Sequence, residues 1–130
     1  MVRPVLIIED DSDIAESLQY NLEREGLSVV VALTGEQGLV DALNQRNPPS
    51  LIILDLMLPG MSGIELQEYL TAHGYNTPVV FITAFPDQGI RDRAMNGGAV
   101  GFLSKPFDES RLLQCVEQAL ARRQSRPDDT

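Results

Sequence analysis

Along this chain, short apolar runs alternate with stretches in which apolar residues recur every three or four positions. Val5-Leu6-Ile7-Ile8 reads as a strand. Ser12 or Asp13 can then cap a helix whose Ile14, Leu18 and Leu22 share one face, and Gly26 stops it. Leu27 to Ala32 is a second strand, and Thr34 with Gln37 three residues on is a capping-box signal for a helix carrying Leu39, Ala42 and Leu43. Asn47-Pro48-Pro49 ends that helix. Leu51-Ile52-Ile53-Leu54-Asp55 is a third strand, and the turn Leu56 to Gly63 leads into a helix with Ile64, Leu66 and Leu70 that runs to His73-Gly74. Pro78 to Ile82 is the fourth strand, closed by Thr83-Ala84; Pro86 fits the first turn of a helix with Ile90, Ala94 and Met95, which Gly97-Gly98 terminates through positive φ. Val100 to Leu103 is the last strand. Asp108 then caps a helix with Leu112, Val116, Ala119 and Leu120 inward, and a polar tail runs from Gln124 to Thr130.

Five β units thus alternate with five α units, and four of the strands are apolar throughout. A strand that is apolar on both sides is covered on both sides, which with helical crossovers means a parallel sheet between two helix layers, a doubly wound α/β fold. With 130 residues the chain fits one domain, placed at 1–123, with 124–130 as a tail that could begin a linker. No internal repeat or low-complexity block interrupts it.

Composition narrows the function. A hydrophobic share of 43% excludes disorder, no apolar run reaches the ~20 residues of a membrane span, and Met1-Val2-Arg3-Pro4 lacks the apolar core of a signal peptide; a cytoplasmic protein is expected. Cys115 is the sole cysteine, so neither a disulfide framework nor a thiolate metal cluster is available. A net charge of −9 opposes direct binding to nucleic acid and suits a cation or a basic partner.

The chemistry lies at the strand ends. The first strand ends in Glu9-Asp10-Asp11, the third in Asp55, the fourth in Thr83 and the last in Ser104-Lys105-Pro106, all on the carboxyl edge of a parallel sheet, where open α/β folds bind ligands. Asp55 taken alone could equally be a turn or helix-cap aspartate. Carboxylates gathered at about 5 Å repel one another by on the order of 3 kcal/mol per pair at an effective dielectric near 20. A hard divalent cation with oxygen ligands, Mg²⁺, would compensate, as would Lys105, the only lysine among ten basic residues. Its compact ammonium suits a point-charge contact with a carboxylate or phosphoryl oxygen.

Glu9-Asp10, Asp55 followed by Pro59-Gly60-Met61-Ser62-Gly63, Thr83-Ala84 and Lys105-Pro106-Phe107 resemble, at these separations, the receiver domain of two-component response regulators, from Val5 to about Arg122. The resemblance implies a flavodoxin-like sheet of order 2-1-3-4-5, with Asp55 accepting a phosphoryl group. It implies Mg²⁺ held by Asp10, Asp55 and the Met57 backbone carbonyl, with Glu9 acting through water. Lys105 and Thr83 would contact the phosphoryl group, Thr83 and Phe102 would form the switch, and Lys105-Pro106 would be a cis peptide. Asp11 reads as a helix-start charge rather than a ligand, and His73 as a solvent-facing residue at a helix end.

The donor would be a sensor histidine kinase, a phosphotransfer protein or a small acyl phosphate. Phosphorylation would let the Thr83 hydroxyl rotate towards the new group and Phe102 turn inward, reshaping the face formed by the fourth helix, last strand and last helix. That face would meet an output domain or effector, a helix-turn-helix output among them, or a second activated copy; no membrane is involved. Apolar Met57 and Phe85 would slow hydrolysis of the phosphorylated state by disfavouring a well-placed water, and no external substrate would be turned over. Two alternatives stand beside this. An Mg²⁺-dependent aspartyl-phosphate phosphohydrolase needs a second acid two residues after its nucleophile, where this chain has Met57. A flavin or nucleotide module wants a glycine- or hydroxyl-rich phosphate loop where it has Glu9-Asp10-Asp11.

Overall fold

The computed structural model describes residues 3–124. Ten elements alternate: β1 (Val5–Ile8), α1 (Ser12–Arg24), β2 (Val29–Ala32), α2 (Gly35–Ala42), β3 (Leu51–Asp55), α3 (Gly63–Ala72), β4 (Val79–Thr83), α4 (Gln88–Asn96), β5 (Gly101–Ser104) and α5 (Glu109–Gln124). The strands form one parallel sheet in the order β2-β1-β3-β4-β5. This is the doubly wound flavodoxin-like arrangement expected. Met1-Val2 and the tail beyond Gln124 lie outside the described residues.

Successive strand side chains point to opposite faces, so each apolar strand feeds two cores. Leu6, Ile8, Ile52, Leu54, Phe81 and Phe102 pack on the side of α2, α3 and α4. Val5, Ile7, Leu51, Ile53, Val80, Ile82 and Leu103 pack with Leu18 and Leu22 of α1 and Leu112, Val116 and Ala119 of α5. The edge strand β2 is the exception, its valines only half-buried or exposed. Among the described residues no helix is long and apolar enough to cross a membrane.

Several local details differ from the sequence reading. The N-cap of α1 is Asp11 rather than Ser12 or Asp13, its carboxylate accepting from the Asp13 and Ile14 N–H groups. The α2 capping box is half-formed: Thr34 Oγ1 accepts from Gln37 N, but the Gln37 amide turns outward to Asp41. That helix also ends at Ala42, before Asn47-Pro48-Pro49. Pro86 precedes the α4 cap, Asp87, and Ile90 and Met95 are exposed, leaving Ala94 as the one buried residue of α4. Asp108 does serve as a cap, accepting from Arg111 N at 2.7 Å.

Candidate functional site

The register brings four strand ends level. Ile8 pairs with Leu54, Asp55 with Ile82, and Thr83 with Ser104, so the residues that end or follow β1, β3, β4 and β5 meet at the carboxyl edge. Leu56 N–H continues the ladder to the Ile82 carbonyl, after which Asp55 Oδ1 accepts from Met57 N at 2.9 Å and turns the backbone off the sheet. Gly63 is required behind this turn: a Cβ there would sit 2.6 Å from the Asp55 carbonyl oxygen and 3.1 Å from the Phe81 ring. The sequence showed Gly63 only as a turn glycine.

Glu9 is fully buried and Asp55 is 5% exposed, whereas Asp10 faces solvent. Lys105 Nζ bridges the two buried acids, donating to Glu9 Oε1 at 2.7 Å and to Asp55 Oδ2 at 3.1 Å. The second Glu9 oxygen accepts from Asp11 N at 3.1 Å. Lys105 is set by β5 and by its own N–H, which donates to the Thr83 carbonyl, and the Lys105–Pro106 peptide is cis. Burial is the largest influence on the Glu9 carboxyl, and with a hydrogen bond to Asp55 it pushes the pKa up to about 7 from 4.5, against the opposing pull of Lys105 and the Asp11 N–H. Burial alone would lower the Lys105 pKa, but its hydrogen bonds to Glu9 and Asp55 more than offset this and raise it, so the ammonium stays charged.

One carboxylate oxygen from each of Glu9, Asp10 and Asp55 lies within 4.8 Å of the others. All-oxygen donors, two buried and one open to water, fit a hard divalent cation that keeps part of its hydration shell. The Met57 carbonyl, the expected backbone ligand, belongs to the turn that the Asp55 side chain holds.

Thr83 is buried beside this cluster, its Oγ1 accepting from Phe85 N at 3.1 Å. Met57 and Phe85 stand 61% and 71% exposed at the rim. Phe102 differs from the expectation of a ring that has yet to turn inward. It is already 8% exposed, with the Arg91 guanidinium of α4 5.4 Å above its ring. His73 is exposed as expected, stacked on Tyr69 with ring centroids 4.1 Å apart.

A doubly wound sheet whose carboxyl edge gathers three acids, two of them bridged by one lysine, offers a hard cation an oxygen-lined site. Residues 5–117 match the response regulator receiver domain, and the chain belongs to that family. It is 37% identical over 125 residues to the uncharacterized transcriptional regulatory protein YkoG of Bacillus subtilis, covering 96% of this chain and 54% of that protein. It is 34% identical to the alkaline phosphatase synthesis transcriptional regulatory protein PhoP of the same organism, over 94% of this chain and 50% of that one. The chain therefore spans about half the length of these relatives. In structure it is similar to a CheY-like response regulator receiver domain protein from Methanospirillum hungatei, with TM-score 0.88 and 27% identity over 95% of this chain and 98% of that one. Receiver domains are regulators rather than enzymes in the ordinary sense, and they bind Mg²⁺ at acidic residues, which the Glu9-Asp10-Asp55 cluster could do here. The family works with histidine kinases and output domains.

Proposed function

We infer that the chain is a phosphorylation-activated switch in which Asp55 accepts a phosphoryl group from a histidine kinase or phosphotransfer protein. The observation that carries this reading is the Lys105 bridge: a tethered cation 3.1 Å from Asp55 Oδ2, where phosphoryl oxygens would arrive. In the transfer, an Asp55 oxygen forms the new P–O bond as the donor's bond to phosphorus breaks, and negative charge spreads over three oxygens. Glu9, Asp10 and Asp55, with the Met57 carbonyl, would hold Mg²⁺, which supplies charge neutralisation at those oxygens when bound. Lys105 exchanges its contact with Asp55 for one with the phosphoryl group while Glu9 keeps it aimed. Thr83 Oγ1, now an acceptor for Phe85 N, has a hydroxyl proton to donate to the same group.

The phosphoryl group adds roughly −1.5 to −2 charge, and the Thr83 movement carries the change to the face of α4, β5 and α5. Because Phe102 is already buried under Arg91, its part is a repositioning beneath α4 rather than a first burial. That face would engage an output domain, an effector or a second activated copy. Relatives named as transcriptional regulators make transcription the output we favour. We assign 1–123 to the receiver and 124–130 to a connecting tail, and place the protein in the cytoplasm. The phosphohydrolase alternative lacks its second acid, since Met57 occupies that position.

The test is intact-mass measurement after incubation with a small acyl phosphate and Mg²⁺. Wild type should gain one phosphoryl group and Asp55→Asn none; an equal gain in both proteins removes Asp55 from the role.

A further inference from the structure

Helix α4 is the most weakly anchored of the described helices, with Ala94 its one buried side chain, whereas α1, α2, α3 and α5 each bury at least three residues. It is nevertheless the helix that lays Arg91 over Phe102. What holds it comes from α3. Gln67, only 4% exposed, donates through Nε2 to the Ala94 carbonyl at 3.2 Å. The other polar contact between these helices is the ion pair of Glu68 with Arg93 at 2.9 Å, both side chains more than half exposed, where solvent and salt leave such pairs with little worth.

The same amide closes on α4 at a second point. A Cβ on Gly97 would lie 2.8 Å from Gln67 Oε1 and 3.2 Å from Cδ, so the end of α4 rests flush on the carboxamide. Gly97 has φ −78, a conformation open to any residue, so close approach rather than backbone freedom demands the glycine. Gln67 Oε1 has no hydrogen-bond partner in this position. Gln67, Gly97 and Gly98 also line a hollow of about 390 Å³ between α3, the α4–β5 turn and the amino ends of β4 and β5, so the corner has room to move.

We propose that the buried Gln67 carboxamide is a latch that holds the carboxyl-terminal half of α4 on α3 and thereby keeps Arg91 over Phe102. Gln67 is a positioning residue in this role; it touches no group of the acidic cluster. The latch exists in the unphosphorylated protein and stands whether or not Asp55 is the acceptor.

Native-state hydrogen exchange of the whole chain tests it, because local opening of one helix and global unfolding are read separately. Gln67→Met keeps the length and approximate volume of the side chain but removes the donor to the Ala94 carbonyl. Amides of α4 should exchange roughly tenfold faster, which at ~1.4 kcal/mol per decade matches one buried hydrogen bond, while those of β1 and β3 stay within about twofold of wild type. Gly97→Ala pushes from the other side and should produce the same confined acceleration. Unchanged α4 protection in Gln67→Met, or acceleration shared equally by β1 and β3, overturns the latch. If Gln67→Met does not fold, Gly97→Ala decides by the same two criteria.

Discussion

Stability should fall as pH rises through neutrality, the reverse of the usual behaviour of carboxylates, and Glu9 is the reason. Its folded pKa of about 7 exceeds the 4.5 of the free side chain, chiefly through burial. Between those values the folded chain holds a proton that the unfolded chain has released, so the contribution is complete below pH 4.5 and is lost as pH climbs past 7. The whole displacement corresponds to about 3 kcal/mol at ~1.4 kcal/mol per pH unit, and between about pH 5.5 and 8, clear of general acid denaturation, about 2 kcal/mol of it should disappear. For a domain of this size that is a drop in Tm on the order of 8 °C. The assay is thermal unfolding in chelator across that pH range, with Glu9→Gln in parallel. Glutamine cannot titrate, so the variant should lose this slope. Excess Mg²⁺ should flatten it in wild type too, since a bound cation favours the ionised carboxylate at every pH. If Glu9→Gln keeps the wild-type slope, another group is responsible and the account of Glu9 fails.

Three further outcomes are expected. Mg²⁺ should raise the Tm of wild type and have much less effect on Asp10→Asn; equal shifts would count against a cation site at Asp10. Lys105→Ala should remain folded, with Glu9 protonated at neutral pH, and lose its response to phosphorylation, while Lys105→Arg restores it only in part because a planar fork replaces a point charge; full response in the alanine variant, read as partner binding after acyl phosphate treatment, would refute this. Decay of the phosphorylated protein after donor removal should be faster in Met57→Asn, and faster still in Met57→Asn/Phe85→Glu, since polar side chains at these exposed rim positions can orient an attacking water; decay no faster than wild type in both would take these side chains out of the lifetime.

The alternating architecture was legible because parallel strands buried on both faces, such as Leu51–Leu54, must be apolar at every position. Strand β2 is apolar in sequence too, yet at an edge of the sheet its valines are only partly covered, which an apolar run does not reveal. The acids and Lys105 were legible because each lies within two residues of the end of an apolar run, so strand ends and chemistry coincide. What the sequence could not show is which neighbour points inward. Glu9 and Asp10 are adjacent acids, yet one is fully buried against Lys105 and the other faces solvent, a choice made by the pleat at the end of β1. Asp11 likewise stood as a general helix-start charge, whereas its carboxylate caps α1 and its N–H holds Glu9. Gln67 left no trace, since a glutamine on a helix reads as surface until Ala94, distant in sequence, is folded against it.

The Lys105 bridge has a consequence for how the protein comes into being. Its three members lie at positions 9, 55 and 105, separated by 96 and 50 residues from the lysine. During synthesis from the amino terminus, Glu9 and Asp55 emerge first, and the cation that reconciles their charges arrives only with β5. No amino-terminal fragment ending before Lys105 can hold the bridge, whatever else it folds. On the proposed function, acceptance of a phosphoryl group is thus tied to the near-complete sheet, since a chain truncated before β5 lacks the bridge altogether.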